Sequence, residues 1–486
     1  MSSGDQSERR WDIGVPRSLG IVGMPLLEAR LAVLDPQTLA DVHVLCVNHA
    51  ISDALMVARA FRRLGAKVTS VLIPYRGRGG QGETQRAVYE AFRFVGQTFV
   101  PRTQRPGGFA RAMATAVSGA VRKVAVSAAA RGHRWMIVED GGYAFPRLHD
   151  DPVLQRYLAC CLGAVERTAR GRLNYELREL DGPPRTPRGL KRPAVTIASS
   201  RLKTTHEAGF VAQGMLDECG WLLRRDHQFL RHRLVTVVGY GRVGAPLARA
   251  LSSQDADVMV VDPAVAVVDP DHTLTTLSET IRRGAFLVFS ATGIPSMTVD
   301  DLTVWLREGR QDTLYLASAS SEDLEFTHVT DFFRRAQANP GLLRRAAGRD
   351  GVVTCRPDPY VGIRYSVDLA DGITKTCVLL ADGYPVIFFP PDTHGAPNRA
   401  MDPVMTQLFL AACGLAHAYE ALDARVYTVD DLRSLAPLCV PAAWVALMDE
   451  EGLLTQWCAL NQVDPASYLR RIGFWSRSEP AAAGTA

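Results

Sequence analysis

The segment from residue 234 to residue 262 constrains the fold more than any other part of the chain. An apolar run, Leu234–Val238, has the composition of a buried parallel strand and leads directly into the sequence Gly-Tyr-Gly-Arg-Val-Gly. A helical pattern follows, and a second apolar run ends at Asp262. This order of strand, glycine turn, helix, strand and acidic residue predicts the βαβ unit of a dinucleotide-binding Rossmann domain.

Each part of this motif has a physical task in holding NAD. The first glycine permits a tight turn, the second lets the backbone approach a pyrophosphate, and the third lets helix and strand pack closely. The helix N-terminus offers N–H groups to the phosphates, and Asp262 accepts hydrogen bonds from ribose hydroxyls, which favours NAD over NADP. The alternative is a glycine-rich turn without a ligand. The predicted cofactor contacts in the turn are Gly239, Gly241, Arg242, Val243 and Gly244.

Short apolar runs alternate with helical patterns along much of the chain, which predicts parallel sheets covered by helices. Because the glycine turn lies in mid-chain, a separate α/β domain is expected before it. We therefore predict a two-domain α/β protein with a parallel-sheet substrate domain, a Rossmann NAD-binding domain and a helical C-terminal extension. The predicted strands besides the two above are Val42–Val47, Val68–Ile73, Trp135–Val138, Val195–Ala198, Phe286–Ser290, Thr313–Ala317 and Val386–Phe389.

Changes in composition suggest where these domains begin and end. A proline- and glycine-rich stretch at 181–193 is typical of a surface loop, and a second break falls at 390–397. The predicted divisions are a disordered leader at 1–14, the first part of the substrate domain at 15–205, the NAD domain at 206–385, a return to the substrate domain at 386–425, the helical extension at 426–478 and a disordered tail at 479–486.

Composition narrows the classes of partner. The net charge is only +4 over 486 residues and the basic residues are dispersed, which argues against a nucleic-acid surface. We find neither an apolar run long enough to span a membrane nor an apolar signal core, so a cytoplasmic location is expected. Nine irregularly spaced cysteines indicate reduced thiols, and their spacing suggests no metal site.

Several segments, in order along the chain, resemble the S-adenosylhomocysteine hydrolase family. Residues 46–68 are similar to that family's substrate-domain strand and helix, and residues 137–142 to its Asp-Asp-Gly-Gly turn. Residues 163–171 are similar to its Glu-Glu-Thr-Thr-Thr-Gly stretch, and 201–207 to its Lys-x-x-x-Asp stretch. The glycine turn and a Ser-Ala-Thr-Gly sequence at 290–293 follow. The resemblance covers roughly residues 40–410 and implies a homo-oligomer.

The resemblance implies a chemistry in which bound NAD transiently oxidises a sugar hydroxyl and side chains move the protons. Lys203 would be the base at the hydroxyl, with its pKa lowered by burial, and Glu207 would orient it. His49 and Asp140 would handle protons on the neighbouring carbons, and His394 would close the site. The bland alternatives are a surface helix pair for Lys203 and Glu207, a strand-end histidine, an Asx turn and an inert loop histidine, respectively.

The resemblance also implies cofactor contacts from Thr168, Thr292 and Gly293, and substrate contacts from Glu166. The chain departs from the family where Arg167 replaces the second glutamate, and this cation would favour an anionic substrate group. Three further departures remove cofactor or substrate contacts of the family, at Ile51, Ser320 and Ile387. Arg76 and Arg78 could add to an anion site, although a surface loop is the simpler interpretation of that stretch.

We therefore predict an adenosylhomocysteinase-like hydrolase or lyase with bound NAD, which transiently oxidises a hydroxyl for elimination, hydrolysis or epimerisation. Its substrate would be a small nucleoside- or sugar-like molecule other than S-adenosylhomocysteine, for which Arg167 would favour an anionic group. Two alternatives remain open. One is a simple NAD-dependent dehydrogenase, which would release NADH in stoichiometric amounts. The other is a non-catalytic NAD-binding regulator.

Overall fold

The computed structural model describes residues 23–74, 83–101, 108–178, 186–262, 273–320, 323–389, 395–435 and 442–475. They form two compact units. The first combines the chain up to residue 74 with residues 83–207 and the segment from 396 onward, and the second comprises residues 208–395.

The first unit is built on a sheet in which all seven strands are parallel, in the order β17-β8-β5-β4-β1-β2-β3. In this order β2 and β3 lie on one side of β1, and β4, β5, β8 and β17 lie on the other. The strand order therefore reverses between β1 and β4. The strands are β1 Val42–His49, β2 Lys67–Ile73, β3 Gln97–Phe99, β4 Arg134–Glu139, β5 Cys161–Glu166, β8 Ala194–Thr196 and β17 Val426–Thr428, and a separate hairpin pairs β6 Leu177–Arg178 with β7 Thr186–Pro187.

Helices cover this sheet because its strands are apolar on both faces; β1, for example, is buried along its whole length. Helix α4 (Phe109–Ala129) packs against β1, β2 and β4. Helix α14 (Asn398–Ala418) packs against β5 and against α2 (Ser52–Arg63). The helices are α1 Pro25–Leu31, α2 Ser52–Arg63, α3 Glu83–Val95, α4 Phe109–Ala129, α5 Phe145–Asp150, α6 Pro152–Gln155, α7 Ala169–Glu176, α14 Asn398–Ala418, α15 Val429–Leu435, α16 Ala442–Met448, α17 Glu450–Leu460 and α18 Pro465–Arg471, with a π-helical turn at Leu202–Glu207.

The second unit contains an eight-stranded sheet in the order β11-β10-β9-β12-β13-β16-β15-β14. The strands from β11 to β16 are parallel, and β15 and β14 extend the sheet in antiparallel fashion. The strands are β9 Leu234–Val238, β10 Asp257–Val261, β11 Thr273–Leu274, β12 Leu287–Ser290, β13 Thr313–Ser318, β14 Gly351–Asp358, β15 Gly362–Leu369 and β16 Thr374–Leu380.

Two apolar cores, one built largely from α8 and α9 and the other from α10 to α13, contain side chains of the central strands of this sheet. The strand order reverses between β9 and β12, which is the arrangement of the Rossmann fold. The helices are α8 Ala208–Arg225, α9 Gly244–Ser253, α10 Leu277–Arg283, α11 Val299–Glu308, α12 Thr327–Ala338 and α13 Pro340–Ala347.

The predicted fold class is confirmed: the chain is α/β, with a parallel-sheet unit, a Rossmann-like unit and C-terminal helices. The C-terminal segment also contributes β17, which pairs with β8 at the edge of the first sheet. The predicted domain boundaries stay a prediction. No helix in the described part of the chain is both long enough and apolar enough to span a bilayer.

The predicted strand Val386–Phe389 is wrong. Residues Val386–Phe388 form a 3-10 helix that packs against α8, and the strand beside β13 is β16. Both arrangements bury an apolar run of this length, so composition did not distinguish them. Among the other predicted features, His394, Arg76, Arg78, the leader and the tail lie outside the described residues.

Candidate functional site

The glycine turn of the second unit connects β9 to α9 at the point where the strand order reverses. Gly239 has φ +92°, and a Cβ there would lie 3.0 Å from the carbonyl oxygen of Ala291, at the end of β12. A Cβ on Gly244 would overlap the carbonyl oxygen of Gly239. Packing within the unit therefore requires glycine at both positions.

Gly241 differs from these two glycines. Its φ lies outside the left-handed range, and a Cβ there would meet no described atom within 4 Å apart from its chain neighbours. The described residues therefore give no packing reason for glycine at this position. Close approach of a ligand to the backbone does give one, and it is the task that the middle glycine has in dinucleotide binding.

The remaining motif residues lie around this turn. Val243 is the N-cap of α9, and no side chain among the described residues caps this helix end. Asp262 directly follows β10, and its Oδ2 accepts a hydrogen bond of 2.6 Å from the N–H of Tyr240. The acidic group that would bind the ribose is thus held directly beside the glycine turn. The residues present fit NAD.

Glu325 is a residue of this region that the sequence interpretation missed. Its carboxylate is fully buried and accepts hydrogen bonds from Thr292 N at 2.7 Å and from the hydroxyls of Ser290 and Ser318, each at 2.7 Å. It thereby joins the loops that follow β12 and β13. Gly293 N also donates to Glu325, at 3.2 Å, and to Ser320 Oγ, at 3.1 Å. A glutamate in an irregular segment between a strand and a helix gave no sequence signal for this role.

In the first unit, charged side chains from distant segments meet at the carboxyl edge of the sheet, where its strand order reverses. His49 ends β1, Asp140 follows β4 and Arg167 follows β5. Open α/β sheets bind ligands in this position. We call Asp53, Asp140, Arg167, Lys203 and Glu207 the charged cluster.

Two carboxylates compensate the charge of Arg167. Its Nε lies 2.8 Å from Asp140 Oδ1, and its Nη1 lies 3.7 Å from Asp53 Oδ2. All three side chains are buried, and Met405 Sδ lies 3.0 Å from Nη1. Asp53, in the first turn of α2, was not predicted as a site residue. With its charge balanced in this way, Arg167 gives little support to the predicted preference for an anionic substrate.

Lys203 and Glu207 lie on the π-helical turn, with Lys203 Nζ 2.5 Å from Glu207 Oε2. Both side chains are largely buried, at 16% and 7% exposure. The simple interpretation of this pair as a solvated surface pair is therefore wrong. A π-helical turn is rare and often marks a functional site, because it re-aims side chains that a regular helix would present differently.

Burial and neighbouring charges shift the protonation of the site. Burial, together with Arg167 and Lys203, lowers the pKa of His49 well below its usual value, so the imidazole is neutral at neutral pH. Burial raises the pKa of Asp53 to about 6, against the opposing effect of Arg167. Burial also raises the pKa of Asp140, while Arg167 and Lys203 act in the opposite direction. The region thus combines a neutral imidazole, two cations and three carboxyl groups.

Glu166 and Thr168, two other predicted site residues, make hydrogen bonds within the first unit. Glu166 is fully buried, and its Oε1 accepts from Gly141 N at 3.0 Å and from Thr168 N at 2.6 Å. Thr168 caps α7 by accepting from Gly171 N at 3.0 Å. A Cβ on Gly171 would overlap the Glu166 carboxyl group. Both side chains therefore hold the turns around Asp140 and Arg167.

C-terminal helices hold the π-helical turn in place. His206 Nε2 lies 2.7 Å from the carbonyl oxygen of Ala400, and its Nδ1 lies 2.7 Å from the hydroxyl of Tyr468 on α18. Glu450 on α17 accepts from Leu202 N at 3.2 Å. The C-terminal segment predicted as a helical extension therefore positions the turn that carries Lys203.

Comparison with solved structures gives matches among D-2-hydroxyacid dehydrogenases. D-2-hydroxyisocaproate dehydrogenase has 10% identity and a TM-score of 0.33, and the match covers 78% of this chain and 98% of that one. The pyruvate reductase of Chlamydomonas reinhardtii has 11% identity and a TM-score of 0.33, with 80% and 99% covered. The NAD-complexed D-isomer specific 2-hydroxyacid dehydrogenase of Lactobacillus delbrueckii ssp. bulgaricus has 12% identity and a TM-score of 0.30, with 60% and 76% covered. At these values the likeness concerns the fold alone.

No protein-family model and no curated protein sequence matches the chain. The predicted kinship with S-adenosylhomocysteine hydrolases, and the hydrolase reaction inferred from it, are wrong, because the structures matched above are two dehydrogenases and a reductase. Short motifs in the same order were misleading because similar turns recur wherever parallel strands meet a helix. Of the structures matched, that of the Lactobacillus delbrueckii ssp. bulgaricus dehydrogenase is a complex with NAD, the cofactor predicted for this chain.

Proposed function

We propose that the protein is an NAD-dependent oxidoreductase that oxidises a hydroxyl group of a small molecule. The observation that carries this proposal is Gly241, a glycine that no described residue of the unit requires and that a dinucleotide pyrophosphate does require. The carboxylate of Asp262, bonded to the same turn, supports NAD over NADP because it would repel the 2′-phosphate of NADP.

Oxidation of an alcohol removes a hydride from carbon and a proton from oxygen. Bound NAD supplies the hydride acceptor. We assign the proton transfer to the Lys203–Glu207 pair: the Lys203 ammonium gives a proton to the Glu207 carboxylate, and the amine so formed takes the proton of the substrate hydroxyl. His49, neutral at neutral pH, is the second candidate proton acceptor.

The charge of the cluster bears on the substrate class. Its three carboxyl groups exceed its two cations, and Arg167 is already paired with two of those carboxyls. An additional carboxylate or phosphate would therefore meet a net negative site when these groups are ionised. We propose an uncharged or cationic hydroxyl compound, such as a sugar or an amino alcohol.

Titration of the purified chain with NAD⁺ and NADP⁺ tests the cofactor. We expect NAD⁺ to bind at least about tenfold more tightly, because the ribose diol gains hydrogen bonds that the 2′-phosphate loses. Absence of NAD⁺ binding would end the proposal.

Absorbance of NADH during incubation with neutral, cationic and carboxylate-bearing alcohols tests the reaction. A dehydrogenase accumulates NADH in stoichiometric amounts. We expect Lys203→Met to lower turnover by about 10³-fold with NAD⁺ affinity unchanged, since general base catalysis contributes about that factor. Lys191→Met, at a lysine bonded to Gln155 in the same unit, is the matched control. Equal turnover in both variants would remove Lys203 from the mechanism.

A further inference from the structure

A cavity of the first unit lies away from the charged cluster. It has a volume of about 440 Å³ and is lined by residues at the amino ends of β1, β2 and β3 and by α4. The charged cluster lies at the opposite, carboxyl edge of this sheet. His43 and His49 are six positions apart on β1, which corresponds to about 20 Å along an extended strand.

The charged residues that line this cavity are cationic. They include Arg62, Lys67 and Lys123, and none of the described residues that line the cavity carries a carboxyl group. Lys67 Nζ donates to Ser127 Oγ at 2.9 Å, and Arg131, next to the cavity, donates to the same oxygen at 3.0 Å. Arginine outnumbers lysine tenfold in this chain, yet two of its five lysines meet here. The apolar part of the lining includes Val68, Val95 and Val124.

His43 supplies a second, independent observation. Its side chain is only 2% exposed, and its Nε2 has no hydrogen-bond partner among the described residues. His43 is in register with Lys67 on the neighbouring strand, so both side chains lie on the same face of the sheet. Buried polar atoms in native proteins nearly always have a partner, and His43 lines the cavity, so its unpartnered nitrogen is a candidate contact for a ligand there.

The neighbouring groups that act electrostatically on His43 and Lys67 are all basic. Burial, with Lys67, His133 and Arg131, lowers the pKa of His43 to about 4. Burial, with Arg131 and Lys123, lowers the pKa of Lys67. A bound anion would relieve this mutual repulsion.

We propose that this cavity binds a small organic anion, a phosphate or carboxylate group on an apolar body. Lys67, Lys123 and the Nε2–H of neutral His43 contact the anionic group. The valines of the lining contact the apolar body. Cavities of this size accommodate small molecules. The ligand is neither the substrate nor NAD, because the site uses none of the residues assigned to them.

Calorimetric titration of the full chain with inorganic phosphate and with phenyl phosphate tests this site. We expect phenyl phosphate to bind at least about tenfold more tightly than phosphate, because burial of the ring adds apolar contact area. Lys123→Gln should weaken its binding about tenfold, the factor for one lost charge-assisted hydrogen bond. His43→Gln, which retains a side-chain N–H donor, should weaken it less than His43→Leu.

Arg122→Gln is the matched control, because Arg122 is the exposed neighbour of Lys123 on α4 and does not line the cavity. Arg122→Gln should change the affinity for phenyl phosphate by less than about twofold. Absence of binding of both probes, or equal weakening by Lys123→Gln and Arg122→Gln, would overturn the proposal. Equal affinity for the two probes would indicate an adventitious ion only. The NAD⁺ titration is independent of all these outcomes, so a failure here is distinguishable from a failure of the proposed oxidoreductase.

Discussion

The two units of this protein place polar groups at the same topological position and assemble them in opposite ways. Each unit has a sheet with parallel central strands whose order reverses beside the first strand, and in each the candidate residues follow the carboxyl ends of the adjoining strands. In the second unit the central turn spans six consecutive residues, 239–244. In the first unit the charged cluster draws on positions from 53 to 207. A contiguous motif can be identified from sequence, whereas a dispersed cluster exists only after folding.

The two sites also depend on different forces. The glycine turn depends on close backbone approach, which a single methyl group would disturb. The charged cluster depends on compensation of buried charges, which a single neutral substitution would disturb. Substitutions that separate these two forces test the comparison.

The largest effect is expected for Arg167→Met. The variant leaves Asp140 and Asp53 buried without their cation, and breaking a buried ion pair costs about 3–5 kcal/mol. The free energy of unfolding, measured by denaturant titration, should fall by this amount. Arg172→Met, which removes a half-exposed pair with Glu176, should change it by less than about 1 kcal/mol. Similar losses in the two variants would contradict the interpretation of Arg167 as a buried charge centre.

In the second unit, Gly244→Ala should lower both stability and NAD⁺ affinity, whereas Gly241→Ala should lower only NAD⁺ affinity. The added methyl group at 244 meets the Gly239 carbonyl oxygen, so we expect a loss of about 3 kcal/mol together with loss of NAD⁺ binding. At 241 the methyl group enters open space, so stability should hold while NAD⁺ affinity falls. Thermal unfolding and NAD⁺ titration measure the two effects. Retained affinity in a stable Gly241→Ala protein would refute a role for this glycine in binding.

The pH dependence of stability should reflect His206 in the first unit. Burial lowers the pKa of His206 from 6.5 to about 4. Between these values the unfolded chain binds the proton and the folded chain does not. The folded state is therefore most stable above pH 6.5, and its free energy of unfolding falls as the pH decreases towards 4. The difference in unfolding free energy between wild type and His206→Gln should therefore change by about 3 kcal/mol across this window. A difference that does not vary with pH would contradict the assignment.

The smallest effect is expected for Tyr468→Phe, which removes the hydroxyl that contacts His206. We expect a loss of about 1 kcal/mol, typical of one hydrogen bond. Turnover should fall by a few-fold with NAD⁺ affinity unchanged, because the π-helical turn that carries Lys203 loosens. Tyr157→Phe, whose hydroxyl accepts from the exposed Arg156, is the control. If both variants behave alike, the C-terminal helices do not position this turn.

Local patterns predicted much of the fold. The strand runs at 42–47, 234–238 and 313–317 lie within β1, β9 and β13, because apolar runs of that length bounded by turn residues have few other solutions. The same reasoning failed at 386–389, where the run is equally apolar but forms a short helix. It also missed the antiparallel strands β14 and β15. Strand β14 is mostly exposed, but β15 does show the alternation of a half-buried strand, with Ile363, Tyr365, Val367 and Leu369 buried and the residues between them not, so this signal was overlooked.

The sequence by itself determined the Rossmann unit, because the residues that shape its glycine turn are neighbours along the chain and each acts through its own backbone. It also brought His49, Asp140, Lys203 and Glu207 to notice, although through a family resemblance that was wrong. Only the tertiary structure decided that Arg167 is neutralised by Asp140 and Asp53 and that C-terminal helices hold Lys203 in place. Charge compensation depends on distances between segments far apart in sequence, and the parallel sheet fixes those distances only when the chain has folded.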